Sequence, residues 1–156
     1  MRVAQEKHFI THDGSTLFYR YWPPAASQTT EPRAVVLLHR GHEHSGRLQH
    51  VVDELALAEV AMFAWDARGH GRSPGPRGDS PSFAALVKDV DCFVRHIGNT
   101  HDIAIGNLAV IGQSVGAVLA ATWVHDFAPR IRCLVLTAPA FKVKLYVPLA
   151  RPGLAL

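Results

Sequence analysis

Cysteine is scarce in this sequence, which contains only two cysteines among 156 residues. Cys92 and Cys133 are too few for the disulfide framework of a small secreted protein, and their spacing matches no zinc site. Each lies within an apolar, periodic segment. This placement predicts that both are small buried core residues in a protein from a reducing compartment.

Long apolar runs are also absent. No stretch approaches the ~18 residues that a bilayer-spanning helix requires. The first eight residues, MRVAQEKH, contain no apolar core of a signal peptide. These two absences predict a cytoplasmic protein.

Charge of one sign is not concentrated anywhere along the chain. The net charge is +3, and the densest basic group is Arg68, Arg72 and Arg77, within a loop rich in glycine and proline. A nucleic-acid interface needs basic residues on one face together with aromatic platforms. We therefore expect no nucleic-acid partner.

Apolar runs alternate with segments of helical spacing, and this order predicts an α/β fold. Residues 9–11 and 16–22 flank a turn at residues 12–15, which predicts an antiparallel hairpin. Four continuous apolar runs then predict strands buried on both faces of a sheet. These runs are residues 34–38, 60–65, 108–111 and 133–136.

Three predicted helices separate these runs. The apolar spacing indicates helices near residues 48–57, 83–97 and 115–125, with Ser80 or Ser82 as the cap of the second. Strictly alternating strands and helices predict a mostly parallel sheet with helices on both faces. We expect residues 1–156 to form one partial domain, with its site at the carboxyl ends of the strands.

The third parallel run is followed by Gly112-Gln113-Ser114-Val115-Gly116, a G-x-S-x-G motif. A serine on a sharp strand-to-helix turn needs neighbours without a Cβ atom two positions away. Gly112 and Gly116 meet this requirement, so Ser114 is the predicted nucleophile. The alternative is a glycine-bracketed turn with an unreactive serine.

The first parallel run ends in the loop of residues 39–47, with the sequence HRGHEHSGR. The backbone N–H groups of Gly41 in this loop and of Val115 are the predicted oxyanion donors. A rival interpretation takes the loop's clustered imidazoles and carboxylate as metal ligands, but their spacing matches no known zinc motif. We expect neither a metal nor another cofactor.

The second run ends in DARGHGRS, residues 66–73. Asp66 and His70 could suggest part of a triad. Aspartates in glycine-rich turns, however, commonly satisfy backbone N–H groups. We therefore predict a structural role for Asp66.

Together, HRGHEHSGR, DARGHGRS and GQSVG resemble the monoacylglycerol-lipase-like branch of the α/β-hydrolases, also described as serine aminopeptidase S33 or lysophospholipase-like. The resemblance covers residues 9–139. It implies an α/β-hydrolase fold, acylation of Ser114 by a small-molecule ester, and oxyanion donors at Gly41 and Val115. A peptidase with the same mechanism and a non-catalytic remnant that binds a partner are the alternatives.

Some positions depart from the family pattern. The usual His-Gly start of the oxyanion loop is His39-Arg40 here, and the next glycine of the family is His42. The nucleophile motif of the family often reads GHSMGG, whereas Gln113, Val115 and Ala117 occupy those positions. The flanking glycines of the nucleophile are retained.

A triad also needs a histidine and an acid after the serine. Only His125 and Asp126 follow Ser114, and a helix of eleven residues would place His125 about 16 Å away. The resemblance implies that a lid begins near residues 142–148, with the strands bearing the acid and base beyond it. We therefore expect a truncated copy with negligible turnover, and an exposed edge at residues 133–138 that could mediate dimerisation.

Overall fold

The structure is a computed structural model that describes residues 1–25 and 30–142. The expected start of a lid lies outside the described residues apart from Lys142. Six strands form one sheet in the order β1-β2-β4-β3-β5-β6. The strands are β1 Gln5–Ile10, β2 Thr16–Trp22, β3 Arg33–Leu38, β4 Val60–Trp65, β5 Leu108–Gln113 and β6 Cys133–Thr137.

The predicted fold class is confirmed by the strand directions. β1 and β2 form the antiparallel hairpin, β2 joins β4 antiparallel, and β4, β3, β5 and β6 run parallel to one another. The helices are α1 Gln49–Leu55, α2 Phe83–His101 and α3 Val115–Phe127, with short 3₁₀ turns at Ser45–Leu48 and Ile105–Asn107. Ser82 caps α2, and its hydroxyl accepts a hydrogen bond from the Ala85 N–H at 3.0 Å.

Both faces of the sheet are covered by helices, as the continuous apolar runs predicted. Even-numbered residues of β3, such as Val36, face a core formed with α2 and α3. Odd-numbered residues, such as Val35 and Leu37, pack with Leu48 and Val52 of the α1 segment. Across the described residues, no helix combines the length and hydropathy of a membrane-spanning segment.

Two expectations were wrong in detail. Leu57 lies beyond α1, because a left-handed residue, Ala56 with φ 50°, ends that helix. Cys133 is exposed, and β6 alternates between exposed and half-buried residues, because β6 is an edge strand of the described sheet. Cys92 is half-buried against the core. Self-association through β6 stays a prediction.

Two histidines of α2 lie between the helix and the sheet. The Tyr19 hydroxyl and Nε2 of His96 are 3.0 Å apart, and the ring of His101 lies 4.4 Å from that of Tyr21. Burial lowers the pKa of both imidazoles, and Lys7 lowers them further. Nε2 of His101 is buried without a hydrogen-bond partner among the described residues.

We expect the free energy of unfolding to fall as the pH is lowered from about 7.5 to about 5.5. Histidines with a depressed folded-state pKa stay neutral in the folded protein, so the unfolded chain binds more protons below its own pKa near 6.5. Urea denaturation at several pH values measures this slope. His101→Phe, which retains an aromatic ring, should flatten the slope. A stability that rises on acidification would contradict the expectation.

Candidate active site

Ser114 occupies a sharp turn between β5 and α3. Its backbone has φ 54° and ψ −114°, a combination that residues other than glycine rarely adopt. The turn is held from both sides, because the Ser114 N–H donates to the Thr137 carbonyl oxygen at 3.0 Å and its own carbonyl accepts from Ala117 at 3.1 Å. The side chain is only half-buried. This turn between β5 and α3, called the elbow below, has the strained strand-to-helix geometry that the G-x-S-x-G spacing predicts.

The two glycines around Ser114 permit close packing of this turn. A Cβ atom on Gly112 would lie 2.5 Å from the Gly116 carbonyl oxygen and 2.7 Å from Cα of Ala117. A Cβ atom on Gly116 would overlap the carbonyl oxygens of Leu38 and His39 at the end of β3. The first turn of α3 therefore rests directly against the backbone of the neighbouring strand.

The structure brings Gly41 and Val115, the two residues predicted to supply oxyanion donors, close together. A Cβ atom on Gly41 would lie 3.8 Å from Cγ1 of Val115. Val115 is the first residue of α3, so its N–H belongs to the helix amides that have no intrahelical acceptor. The partial positive charge of a helix N-terminus favours a negative oxygen at this point.

His39 is held within the loop that follows β3. Its Nδ1 lies 2.7 Å from the Arg40 carbonyl oxygen, and its Nε2 accepts from the Ala67 N–H at 3.1 Å. Burial lowers the pKa of His39, which agrees with the neutral ring that these two bonds require. Within residues 1–25 and 30–142, no group of three histidine, cysteine or acidic side chains is arranged to hold a metal ion.

Asp66 is fully buried and binds backbone amides of two loops. Its carboxylate accepts from the Ser45 N–H at 2.6 Å and from the Arg72 N–H at 2.9 Å. The hydroxyl of Ser73 donates to the Asp66 carbonyl oxygen at 2.5 Å. These bonds tie the loop after β4 to the 3₁₀ turn at Ser45–Leu48, which is the geometry expected for a structural aspartate.

The structure adds a buried ion cluster that the sequence analysis missed. Arg68 donates to Asp89 of α2 at 2.5 and 2.9 Å and to both carboxylate oxygens of Asp13 at 2.8 Å. The guanidinium holds the pKa of Asp13 well below its usual range. Asp89 interrupts the apolar face of α2, three residues after Leu86 and four before Phe93, and this lone carboxylate was the available signal.

A cavity of about 240 Å³ lies next to the two oxyanion candidates. Its inner wall is apolar and includes Trp65, Leu86 and Leu119. Its remaining lining is His39, Gly41, His42, Ala67, Arg68, His70, Gly78, Asp79, Ser80 and Val115. This volume suits a small part of a ligand, since sites for whole drug-sized molecules occupy about 300–1,000 Å³.

The only histidine and acid that follow Ser114 are remote from it. His125 and Asp126 lie in the last turn of α3 and bond to each other at 2.8 Å. The side chain of His125 is 87 % exposed. The helix length therefore separates this pair from Ser114, as the sequence predicted.

The parallel sheet and the elbow between β5 and α3 define an α/β hydrolase. The model of the family described as serine aminopeptidase, S33, matches residues 30–156. The chain belongs to this family, which confirms the resemblance drawn from its three motifs.

Similar proteins include the "Uncharacterized protein YnbC" of Escherichia coli (strain K12), which is 61% identical over 155 residues, 99% of this chain and 26% of that protein. The monoacylglycerol lipase of Mycolicibacterium smegmatis is 32% identical over 139 residues, 88% of this chain and 48% of the lipase. The chain thus spans about a quarter and about half of these relatives.

The solved structure of the α/β hydrolase GrgF from Penicillium sp. sh18 shares the fold at a TM-score of 0.80 and 17% identity. The match covers 98% of this chain and 52% of GrgF.

Proposed function

We propose that this chain carries the nucleophile and oxyanion part of a serine ester hydrolase, in which Ser114 forms the acyl-enzyme. The observation that carries the proposal is the strained backbone of Ser114, with Gly41 packed beside Val115. Backbone strain of this kind persists where the surrounding structure imposes it, and it is concentrated at functional sites.

The proposed reaction follows from these positions. The Ser114 oxygen bonds to the ester carbonyl carbon while a general base takes its proton. The N–H groups of Gly41 and Val115 stabilise the oxyanion that forms. The carbon–oxygen bond to the alcohol then breaks, the alcohol leaves with the proton, and water hydrolyses the acyl-enzyme.

We propose carboxylic esters of the monoacylglycerol or lysophospholipid type as substrates. The name of the Mycolicibacterium smegmatis relative supports this class. The description of the family supports a second candidate, an aminopeptidase with the same nucleophile. A cytoplasmic location remains part of the proposal.

The only histidine that follows Ser114 in the sequence is not placed to act as its general base. His125 points to solvent at the opposite end of α3 from Ser114. We propose that residues 1–156 alone acylate slowly and do not turn over. The oxyanion hole and substrate binding of serine hydrolases retain about 10³–10⁴-fold acceleration when triad members are removed.

We therefore expect a fluorophosphonate probe to label Ser114 slowly, ahead of every other serine, with no steady hydrolysis of p-nitrophenyl butyrate. Mass spectrometry of the labelled peptide measures the first result and absorbance measures the second. Ser114→Ala should abolish labelling. Ser80→Ala, in the wall of the same cavity, is the matched control and should not reduce it.

Two outcomes would revise the proposal. Absence of label at Ser114 over a day at mildly alkaline pH would favour the non-catalytic remnant. Sustained, Ser114-dependent hydrolysis by the monomer would refute the proposal that residues 1–156 lack a general base for Ser114.

A further inference from the structure

His70 lines the cavity beside the oxyanion candidates and has one ring nitrogen that makes no hydrogen bond within the described part of the chain. Nδ1 of His70 lies 2.8 Å from the Arg68 carbonyl oxygen. Because a carbonyl oxygen only accepts, Nδ1 must carry the hydrogen. In the neutral ring, Nε2 then presents a lone pair, and it has no hydrogen-bond partner among the residues that the structure describes.

Two other polar side chains of the cavity, His39 and Arg68, are already engaged. Both ring nitrogens of His39 are bonded within the loops. The guanidinium of Arg68 is neutralised by Asp13 and Asp89. The carboxylate of Asp79 at the rim disfavours an anionic ligand. The free acceptor on His70 therefore matches a neutral hydroxyl donor better than a phosphate or carboxylate.

His42 forms the facing part of the rim. Its φ of 57° lies in the region that favours glycine, so a side chain is retained there at an energetic cost. The ring packs against Gly78, where a Cβ atom would lie 3.6 Å from Cε1, and its centroid is 6.4 Å from that of His70. The two imidazoles thus border the same opening, adjacent to Gly41.

We infer that His70 is a specificity-determining residue, whose Nε2 accepts a hydrogen bond from a free hydroxyl group of an ester bound in this cavity. The inference rests on the proposed function, because it places the ester at Ser114. This role of His70 predicts that esters with free hydroxyl groups bind more tightly than matched esters whose hydroxyl groups are blocked.

The test compares the affinities of two ligands for the full chain carrying Ser114→Ala, a substitution that prevents acylation. The ligands are glycerol monobutyrate and the same ester with both free hydroxyl groups methylated, and NMR titration gives both dissociation constants. We expect the hydroxyl ester to bind about fivefold more tightly, the effect of one neutral hydrogen bond. The ¹⁵N shift of His70 Nε2 should move with the hydroxyl ester only.

Two substitutions separate recognition from a structural role. His70→Asn retains a donor near the position of Nδ1 for the Arg68 carbonyl but lacks Nε2, so the fivefold preference should fall to about one. His70→Gln retains a polar atom near the position of Nε2 and should preserve most of the preference. Thermal melts of both variants show whether they are folded.

Equal affinities in the parent, or a preference that survives in His70→Asn, would overturn the inference. Failure of Ser114 to react with the fluorophosphonate probe would defeat the proposed function instead. The binding ratio is measured without Ser114, so the two failures are distinguishable.

Discussion

Gly116→Ala is expected to abolish the reactivity of Ser114 and to destabilise the fold. The added Cβ atom would overlap the carbonyl oxygens of Leu38 and His39, which are backbone atoms at the end of β3 and cannot rotate away. Overpacking of this kind costs about 3 kcal/mol, or about 9 °C in melting temperature for a chain of this size.

The loss of reactivity has a separate physical reason. To relieve the overlap, the first turn of α3 must move away from β3, and the Val115 N–H moves with it. A displacement of about 1 Å at a reacting group can cost about 100-fold in rate. Fluorophosphonate labelling and thermal denaturation measure the two effects on the same preparation.

Gly106→Ala is the matched control for this experiment. Its Cβ atom would lie 3.8 Å from the Arg130 carbonyl oxygen, an ordinary van der Waals distance. The control should label at the parental rate. If Gly116→Ala also labelled at that rate, the close packing of the elbow would be irrelevant to the serine's chemistry.

Asp89→Asn should be strongly destabilising. Asp89 has no solvent exposure and accepts two hydrogen bonds from Arg68. Removing its charge leaves a buried guanidinium with only the partly exposed Asp13 as its ionic partner. Breaking a buried ion pair costs about 3 kcal/mol or more, which urea denaturation resolves easily.

A surface ion pair provides the comparison for Asp89. Glu59 and Arg33 are 3.8 Å apart with side chains 58% and 43% exposed. Glu59→Gln should change stability by less than about 0.5 kcal/mol, because water screens such pairs. Similar losses in the two variants would show that the Arg68 cluster contributes no more than a surface contact.

The cluster also connects stability to the site. Arg68 joins the turn of the hairpin, the loop after β4 and helix α2, and it lines the cavity beside Gly41. Because Asp13 has a depressed pKa, its contribution is present above the ordinary carboxyl pKa and is lost as the pH falls below it. Acid should therefore loosen the wall of the cavity as well as the hairpin.

Local patterns were sufficient for most of the architecture. Continuous apolar runs identified four strands that are nearly the observed ones, and the G-x-S-x-G spacing located the elbow at Ser114. These features depend on residues close together in the chain, so they can be read without knowing the fold. The exposure of Cys133 could not be read in this way, because composition does not reveal which strand lies at a sheet edge.

Long-range contacts account for the remainder. The pairing of Arg68 with Asp89 and Asp13 joins residues separated by 21 and 55 positions. The approach of Gly41 to Val115 arises because β3 and β5 are parallel neighbours, so their carboxyl ends meet. The sequence by itself located the turn at Ser114, because the two flanking glycines are neighbours in the chain. The tertiary structure decided what holds and surrounds that turn, since the contacts with Thr137, Leu38 and His39 exist only once the sheet has assembled.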